Sequence, residues 1–151
     1  MFSFKKIGFI VLVVFTGIQL IPATRNQSDE VFENDLTKNF DVPDDIQNIL
    51  KKSCYDCHSN NTDYPWYNKV QPISWILENH IKEGKAALNF NDFGTYSNRK
   101  QKSKLRSIRN QIHDGEMPLY SYTLMHSNAK LSEKEKDEVF HWIDKLYNSL
   151  K

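Results

Sequence analysis

Cys54 and Cys57 are the only cysteines in the chain, and His58 directly follows the second of them. The resulting C-x-x-C-H spacing is the attachment signature of c-type haem. Each thiol of such a motif adds to one vinyl group of the porphyrin, and the adjacent imidazole reaches the iron. The spacing therefore predicts one covalent haem c, with Cys54 and Cys57 as the thioether residues and His58 as an axial ligand.

Two other chemistries use a pair of cysteines three residues apart. A structural zinc site needs four ligands, and the chain has no second C-x-x-C and no H-x-x-x-H to complete one. The reactive dithiol of a thioredoxin-like protein lies at a helix N-terminus after a strand, where the dipole lowers a thiol pKa. Here Ile46, Ile49 and Leu50 precede Cys54 at helical spacing, so we expect the motif to end a helix. Covalent haem is the interpretation that uses all three residues of the motif.

Four stretches have the apolar spacing of amphipathic helices, and none alternates as a strand would. The first begins near Pro43 and carries the motif, the second begins at Pro72, and the others cover about residues 98–113 and 133–149. The chain is therefore predicted to be all-α, a small cytochrome-c-like bundle of about four helices around a covalent haem. The second helix is expected to bury an apolar face made of Ile73, Ile76, Leu77, Ile81 and Leu88.

Residues 1–22 have the organisation of an export segment. Lys5 and Lys6 give a short positive start, and residues 7–21 are apolar over about the length of a signal-peptide core. The exit from this stretch is not a good small-x-small cleavage site. A cleaved signal peptide and an uncleaved N-terminal membrane anchor are therefore both open, with a buried core helix as a third alternative.

The rest of the chain is predicted to be one small domain behind a tether. We expect residues 23–40 to be a linker and residues 41–151 to be the haem-binding domain, exported to the periplasm. If the export segment is not cleaved, residues 5–22 would anchor the domain to the inner membrane. Without the two lysines of that segment, the 20 basic residues fall to 18 against 19 acidic ones, a balance that gives no support for general nucleic-acid binding.

Several blocks of sequence occur together in the predicted domain, at residues 49–60, 64–67, 72–75, 88–90, 115–118 and 131–135, and at Trp142. In combination they resemble the bacterial haem-binding domain family, whose members are small exported c-type-cytochrome-like proteins. The similarity covers roughly residues 40–150, and its motifs are specific when taken together. The resemblance implies a haem c domain.

The candidates for a second axial ligand are the methionines and histidines outside the motif. Met117 is favoured because it lies in a Gly-x-Met-Pro turn after a helix, which resembles the axial-methionine loop of small cytochromes c. Methionine is also a common filler of core gaps, which is the plain structural alternative. His126 is the next candidate, ahead of His80 and Met125. The histidines expected at the surface are His113 and His141.

The second ring nitrogen of His58 needs a hydrogen-bond acceptor that fixes the tautomer of the imidazole. Small c-type cytochromes use a proline carbonyl at a similar offset, so Pro72 is the predicted acceptor and Pro65 the second choice. Aromatic side chains are expected to wall the haem, although ordinary core packing explains each of them equally well. They are Trp66, Tyr67, Trp75, Phe90 and Tyr122.

An iron with both axial positions filled by His58 and Met117 suits electron transfer, and methionine ligation raises its reduction potential. We therefore expect a monohaem electron carrier, not an enzyme, with haem and redox proteins as partners. The alternative is a haem-based sensor or haem enzyme with a labile sixth site. Residues 99–109 contain six basic residues and no acidic one. They form either a docking patch for an acidic redox partner or a solvated helix face.

Overall fold

Helices form the regular structure of residues 4–151, the part of the chain that the computed structural model describes. No strand occurs within that range, so the prediction of an all-α fold is confirmed. The α-helices are α1 (Phe4–Ile18), α2 (Leu36–Asn39), α3 (Asp44–Leu50), α4 (Asp56–His58), α5 (Ile73–Ala87), α6 (Asn98–His113), α7 (Tyr120–Met125) and α8 (Glu133–Ser149). Turns of 3-10 helix cover Trp66–Lys69, Phe90–Thr95 and Ser127–Ala129.

The cysteine motif lies at the end of a helix, as the sequence predicts. Asp44 and Asp45 occupy the first turn of α3, where their negative charges stabilise the helix through its dipole. A π-helical turn, Lys51–Tyr55, joins α3 to α4. The helix stops at Ser59, whose backbone is extended. Single π-helical turns within α-helices often occur at functional sites, and this one contains Cys54.

The core lies between α8, α6 and α3. α8 contacts both other helices, and it begins with a capping box in which Ser132 and Glu135 satisfy each other's backbone N–H groups. Leu105 of α6 is fully buried among the apolar residues of this core. The side chains that α8 contributes are Val139, Trp142, Ile143 and Leu146.

The predicted apolar face of α5 is only partly right. Ile81 is buried, and Leu88 after the helix is buried too, but Ile73 and Ile76 are 44% and 55% exposed. α5 packs mainly against α4 and the Trp66–Lys69 turn. These leave one side of the first two turns of α5 uncovered, which explains the exposure of both isoleucines.

Residues 23–40 differ from the linker that the sequence suggests, because part of this segment packs into the domain. Leu36 is fully buried in the core. The carboxylate of Asp35 caps α2 through the N–H of Thr37 at 2.8 Å, and it accepts hydrogen bonds from Asn91 Nδ2 at 2.7 Å and from the Tyr55 hydroxyl at 3.2 Å. These partners lie 20 and 56 residues along the chain, so no local sequence pattern shows them.

The first helix has no buried side chain. Its end is joined to the domain through Gln19, which donates to the carbonyl of Gln71 at 3.1 Å, and through the carbonyl of Ile21, which accepts from Trp75 Nε1 at 3.2 Å. Within residues 4–151, no helix combines the length and apolar character needed to cross a membrane.

Candidate functional site

Two adjoining cavities lie beside the cysteine motif, with volumes of about 290 Å³ and 340 Å³. Each is close to the lower end of the range for small-molecule sites. Cys54, His58 and Met117 line both cavities, and Cys57 lines the larger one. The two thiols, the imidazole and the predicted methionine are thus brought together, although 59 residues separate Met117 from His58.

His58 is held by the end of α5. Its Nδ1 lies 3.0 Å from the carbonyl oxygen of Leu88, the residue that follows the helix. The predictions of Pro72 and Pro65 as this acceptor are therefore wrong. The last carbonyls of a helix have no partner within it, so the C-terminus of α5 supplies a ready acceptor. The signal that marks Leu88 in the sequence is its place at a helix end with an unsatisfied carbonyl, not its offset from His58.

The burial of His58 favours the neutral form of its imidazole, which is the form that binds a metal. Burial lowers its pKa, and this effect outweighs the hydrogen bonds to the carbonyls of Leu88 and Gly84, which raise it. A neutral imidazole whose Nδ1–H donates to Leu88 has its free lone pair on Nε2. Nε2 is therefore the atom that can bind iron.

Gly84 sets the distance between α5 and the motif. A Cβ atom at this position would lie 2.7 Å from the carbonyl oxygen of Cys57 and 3.3 Å from its carbonyl carbon. Only glycine permits backbone packing this close. The same helix carries Leu88 at its end, so the close approach at Gly84 also positions the acceptor for His58.

The environment of the two thiols does not favour a reactive dithiol. Burial raises the pKa of Cys54 to about 12, with a further contribution from Cys57. Burial, followed by the charge of Asp56, raises the pKa of Cys57 to about 11. A nucleophilic cysteine needs the opposite shift, because the thiolate is the reactive form. Within residues 4–151, no three Cys, His, Asp or Glu side chains are grouped to hold a metal ion.

Met117 reaches the cavities through a tight turn after α6. Gly115 adopts a positive φ of 73°, a conformation that favours glycine at the end of a helix. The carbonyl of Gln111 then accepts the N–H groups of Glu116 at 2.9 Å and of Met117 at 3.0 Å. The Gly-x-Met-Pro segment thus folds back on α6. Met117 then lies in the cavity walls together with His58.

The other predicted ligands of the iron lie in different surroundings. His80 lines the larger cavity. His126 stacks on Tyr122 with ring centroids 4.3 Å apart and lines a separate cavity. Met125 is 57% exposed. The remaining two histidines are His113 and His141, both at the surface as expected.

Of the five aromatic residues expected to wall the haem, Phe90 and Tyr122 line the cavities. Trp66 is exposed, Tyr67 contacts Trp66 and His126, and Trp75 donates to a backbone carbonyl of the N-terminal segment. An aliphatic wall that the sequence does not predict completes the cavities, because its residues have no signature beyond ordinary helix patterning. That wall consists of Ala87, Leu88, Ile108, Ile112, Pro118 and Leu119.

This donor set fits a haem group, with two thiols, an imidazole with a free nitrogen, a thioether sulfur and an apolar wall. A profile of the family described as "Haem-binding domain" matches residues 13–145. The chain belongs to the haem-binding domain family. The matched range includes the segment with Asp35 and Leu36, in agreement with the packing of that segment into the domain. The comparisons found no match among curated proteins or solved structures.

Proposed function

We propose that this haem-binding domain is a monohaem c-type cytochrome that carries electrons, with the haem attached to Cys54 and Cys57. The observation that carries the proposal is that both thiols, His58 and Met117 line two adjoining apolar cavities. When bound, the haem supplies an iron that gains and loses one electron. The thiols hold the porphyrin edge, and the apolar wall excludes water from the iron.

His58 and Met117 are the proposed axial ligands. Support for His58 comes from its burial and from the contact of its Nδ1 with the Leu88 carbonyl. This contact leaves the lone pair of Nε2 free to bind iron. Support for Met117 comes from the turn at Gly115 and from its place in both cavity walls. An iron with both ligands is coordinatively full, which suits electron transfer better than substrate chemistry.

Optical spectra test the carrier function. The full chain is produced together with a haem c maturation system and reduced, and carbon monoxide is added. A low-spin spectrum that carbon monoxide does not change is the expected result. A five-coordinate iron that binds carbon monoxide readily would overturn the carrier proposal in favour of a haem sensor or haem enzyme.

The methionine ligand has its own test, with Met125 as the matched control. Met117→Ala should abolish the weak near-infrared band of a sulfur–iron bond and lower the reduction potential, because methionine ligation raises it. Met125→Ala should change neither property, since Met125 is exposed on α7. If Met117→Ala leaves the band in place, Met117 is not the ligand.

We also propose that residues 1–22 direct export, because c-type haem is attached outside the cytoplasm. Lys5 and Lys6 followed by an apolar stretch support this proposal. Fusing residues 1–24 to a reporter enzyme that is active only in the periplasm should give activity. Replacing Leu12 and Val13 by aspartate should abolish it. A reporter that stays inactive would contradict export, and the mass of the purified product would distinguish a cleaved segment from a retained anchor.

A further inference from the structure

The basic residues of α6 are not equivalent. Four of the six cations between residues 99 and 109 lie over aromatic rings, with the charged group 3.5–5.7 Å from the ring centroid. These contacts are Lys100 on Tyr96, Lys102 and Arg106 on Tyr147, and Arg109 on Phe140. Packing against the domain's own rings accounts for these four residues without a docking partner.

Lys104 differs from these residues because it lines the smaller cavity beside His58 and Cys54. Among residues 4–151 it has no ion pair and no aromatic ring beneath its ammonium group. Its side chain is half-buried. A lysine that lines an apolar cavity and has no ion partner there is available to pair with an anionic group that enters the cavity.

Two further polar residues lie on the same stripe of α6. Ser107 and Gln111 follow Lys104 at spacings of three and seven residues, which places all three on one helix face around the apolar Ile108. All four line the smaller cavity. Ammonium, hydroxyl and amide groups donate hydrogen bonds, and the oxygens of a carboxylate accept them. The rest of this wall is aliphatic or aromatic apart from Ser53 and the motif itself.

The charges at the other cavity have the opposite sign. Asp56 and Glu83 line the larger cavity together with Cys57 and His80. A haem carries its two vinyl groups on one edge and its two propionate carboxylates on the opposite edge. Attachment at Cys54 and Cys57 would place the vinyl edge at the motif, and the carboxylates of Asp56 and Glu83 beside Cys57 would repel negatively charged propionates.

We infer that Lys104, Ser107 and Gln111 form the binding site for the haem propionates. The inference rests on the proposed covalent attachment, which fixes the vinyl edge at the motif. Lys104 pairs with one carboxylate, and the hydroxyl of Ser107 and the amide of Gln111 donate to the propionate oxygens. The ion pair offsets the negative charge that the propionates would otherwise place near the iron.

The test uses the haem-loaded full chain with Lys104→Gln, Lys104→Arg and the control Lys100→Gln. Lys100 has the same charge on the same helix, but it is exposed and does not line the cavities. Resonance Raman spectra report the propionate bending vibration, and potentiometry reports the midpoint potential. Lys104→Gln should shift the vibration and lower the potential, because an uncompensated carboxylate favours ferric iron. Lys104→Arg should keep both values near those of the unsubstituted protein.

An unchanged propionate vibration in Lys104→Gln would overturn the inference. Equal shifts of the vibration in Lys104→Gln and Lys100→Gln would overturn it as well, because they would indicate a general effect of surface charge. Both outcomes are observed on protein that has attached its haem, so they leave the proposed function standing. Failure of the unsubstituted chain to retain haem would refute the proposed function itself. Ser107→Ala should give a smaller shift of the vibration in the same direction.

Discussion

Gly84 brings α5 close to the backbone of the motif. An alanine there would place its Cβ 2.7 Å from the carbonyl oxygen of Cys57, and a backbone oxygen cannot rotate away as a flexible side chain could. We predict that Gly84→Ala lowers the free energy of unfolding by about 1–3 kcal/mol, the usual cost of overpacking. Because α5 must shift, the yield of haem-loaded protein should fall as well. Urea denaturation and the ratio of haem absorbance to protein measure the two effects.

Lys82→Ala is the control, since Lys82 is exposed on the same helix and lines neither cavity. Alanine is at least as good a helix former as lysine, so this variant should have the stability of the unsubstituted protein. Gly84→Ala with the stability of the unsubstituted protein would show that α5 and the motif are not packed this closely.

Asp35 offers a second test at the scale of one residue. Its buried carboxylate accepts hydrogen bonds from Asn91, from Tyr55 and from both donors of Thr37. Asp35→Ala leaves these donors without their acceptor, so we predict a loss of about 2–3 kcal/mol in the free energy of unfolding. Glu33→Ala is the control, because Glu33 is exposed and pairs only with Lys38. Equal stability of the two variants would indicate that residues 23–40 are the linker that the sequence suggested.

At the scale of elements, the helix with the motif is joined to α8 by an ion pair between Lys52 and Glu135. Glu135 also closes the capping box with Ser132. The hydrogen bond from Lys52, followed by those from Ser132, lowers the pKa of Glu135 to about 2. A carboxyl whose folded pKa is depressed stabilises the fold fully above its ordinary pKa near 4.5, and this stabilisation is lost as the pH falls toward 2.

We predict that Glu135→Gln lowers the free energy of unfolding at pH 7 by about 1 kcal/mol, the usual value of a helix cap. The variant should also lose less stability than the unsubstituted protein between pH 5 and pH 2, because the carboxyl with the lowered pKa is gone. Urea denaturation across this pH range measures both effects. Glu133→Gln is the control, since Glu133 is exposed in the same helix turn and pairs only with Lys136. Parallel pH curves for the unsubstituted protein and Glu135→Gln would contradict the proposed role of the ion pair.

The sequence predicts elements well where the determinants are local. α6 and α8 have the predicted bounds to within a residue, because each has a capping serine and apolar helical spacing, and Gly115 follows the end of α6. α2 was missed because it is four residues long and depends on the distant partners of Asp35. α7 is not predicted by the sequence, since its exposed Tyr120 and Leu124 give no buried face to recognise.

For the whole molecule, the site combines three distant segments. The motif with its two thiols is contiguous and visible in the sequence, whereas the acceptor Leu88 and the cavity residue Lys104 come from α5 and α6. The proposed haem-attachment residues and His58 are therefore predictable from their spacing alone. Their supports are not, because the packing of α5 on α4 decides which carbonyl meets His58, and tertiary contact leaves no local pattern.

The central claim is that haem is attached covalently at Cys54 and Cys57. Mass spectrometry of the full chain, produced with a haem c maturation system and then extracted with acidified organic solvent, tests it most directly. We predict an intact mass that exceeds that of the polypeptide by one haem, and no such increase when both cysteines are replaced by serine. Haem that extracts completely from the unsubstituted protein would contradict the claim.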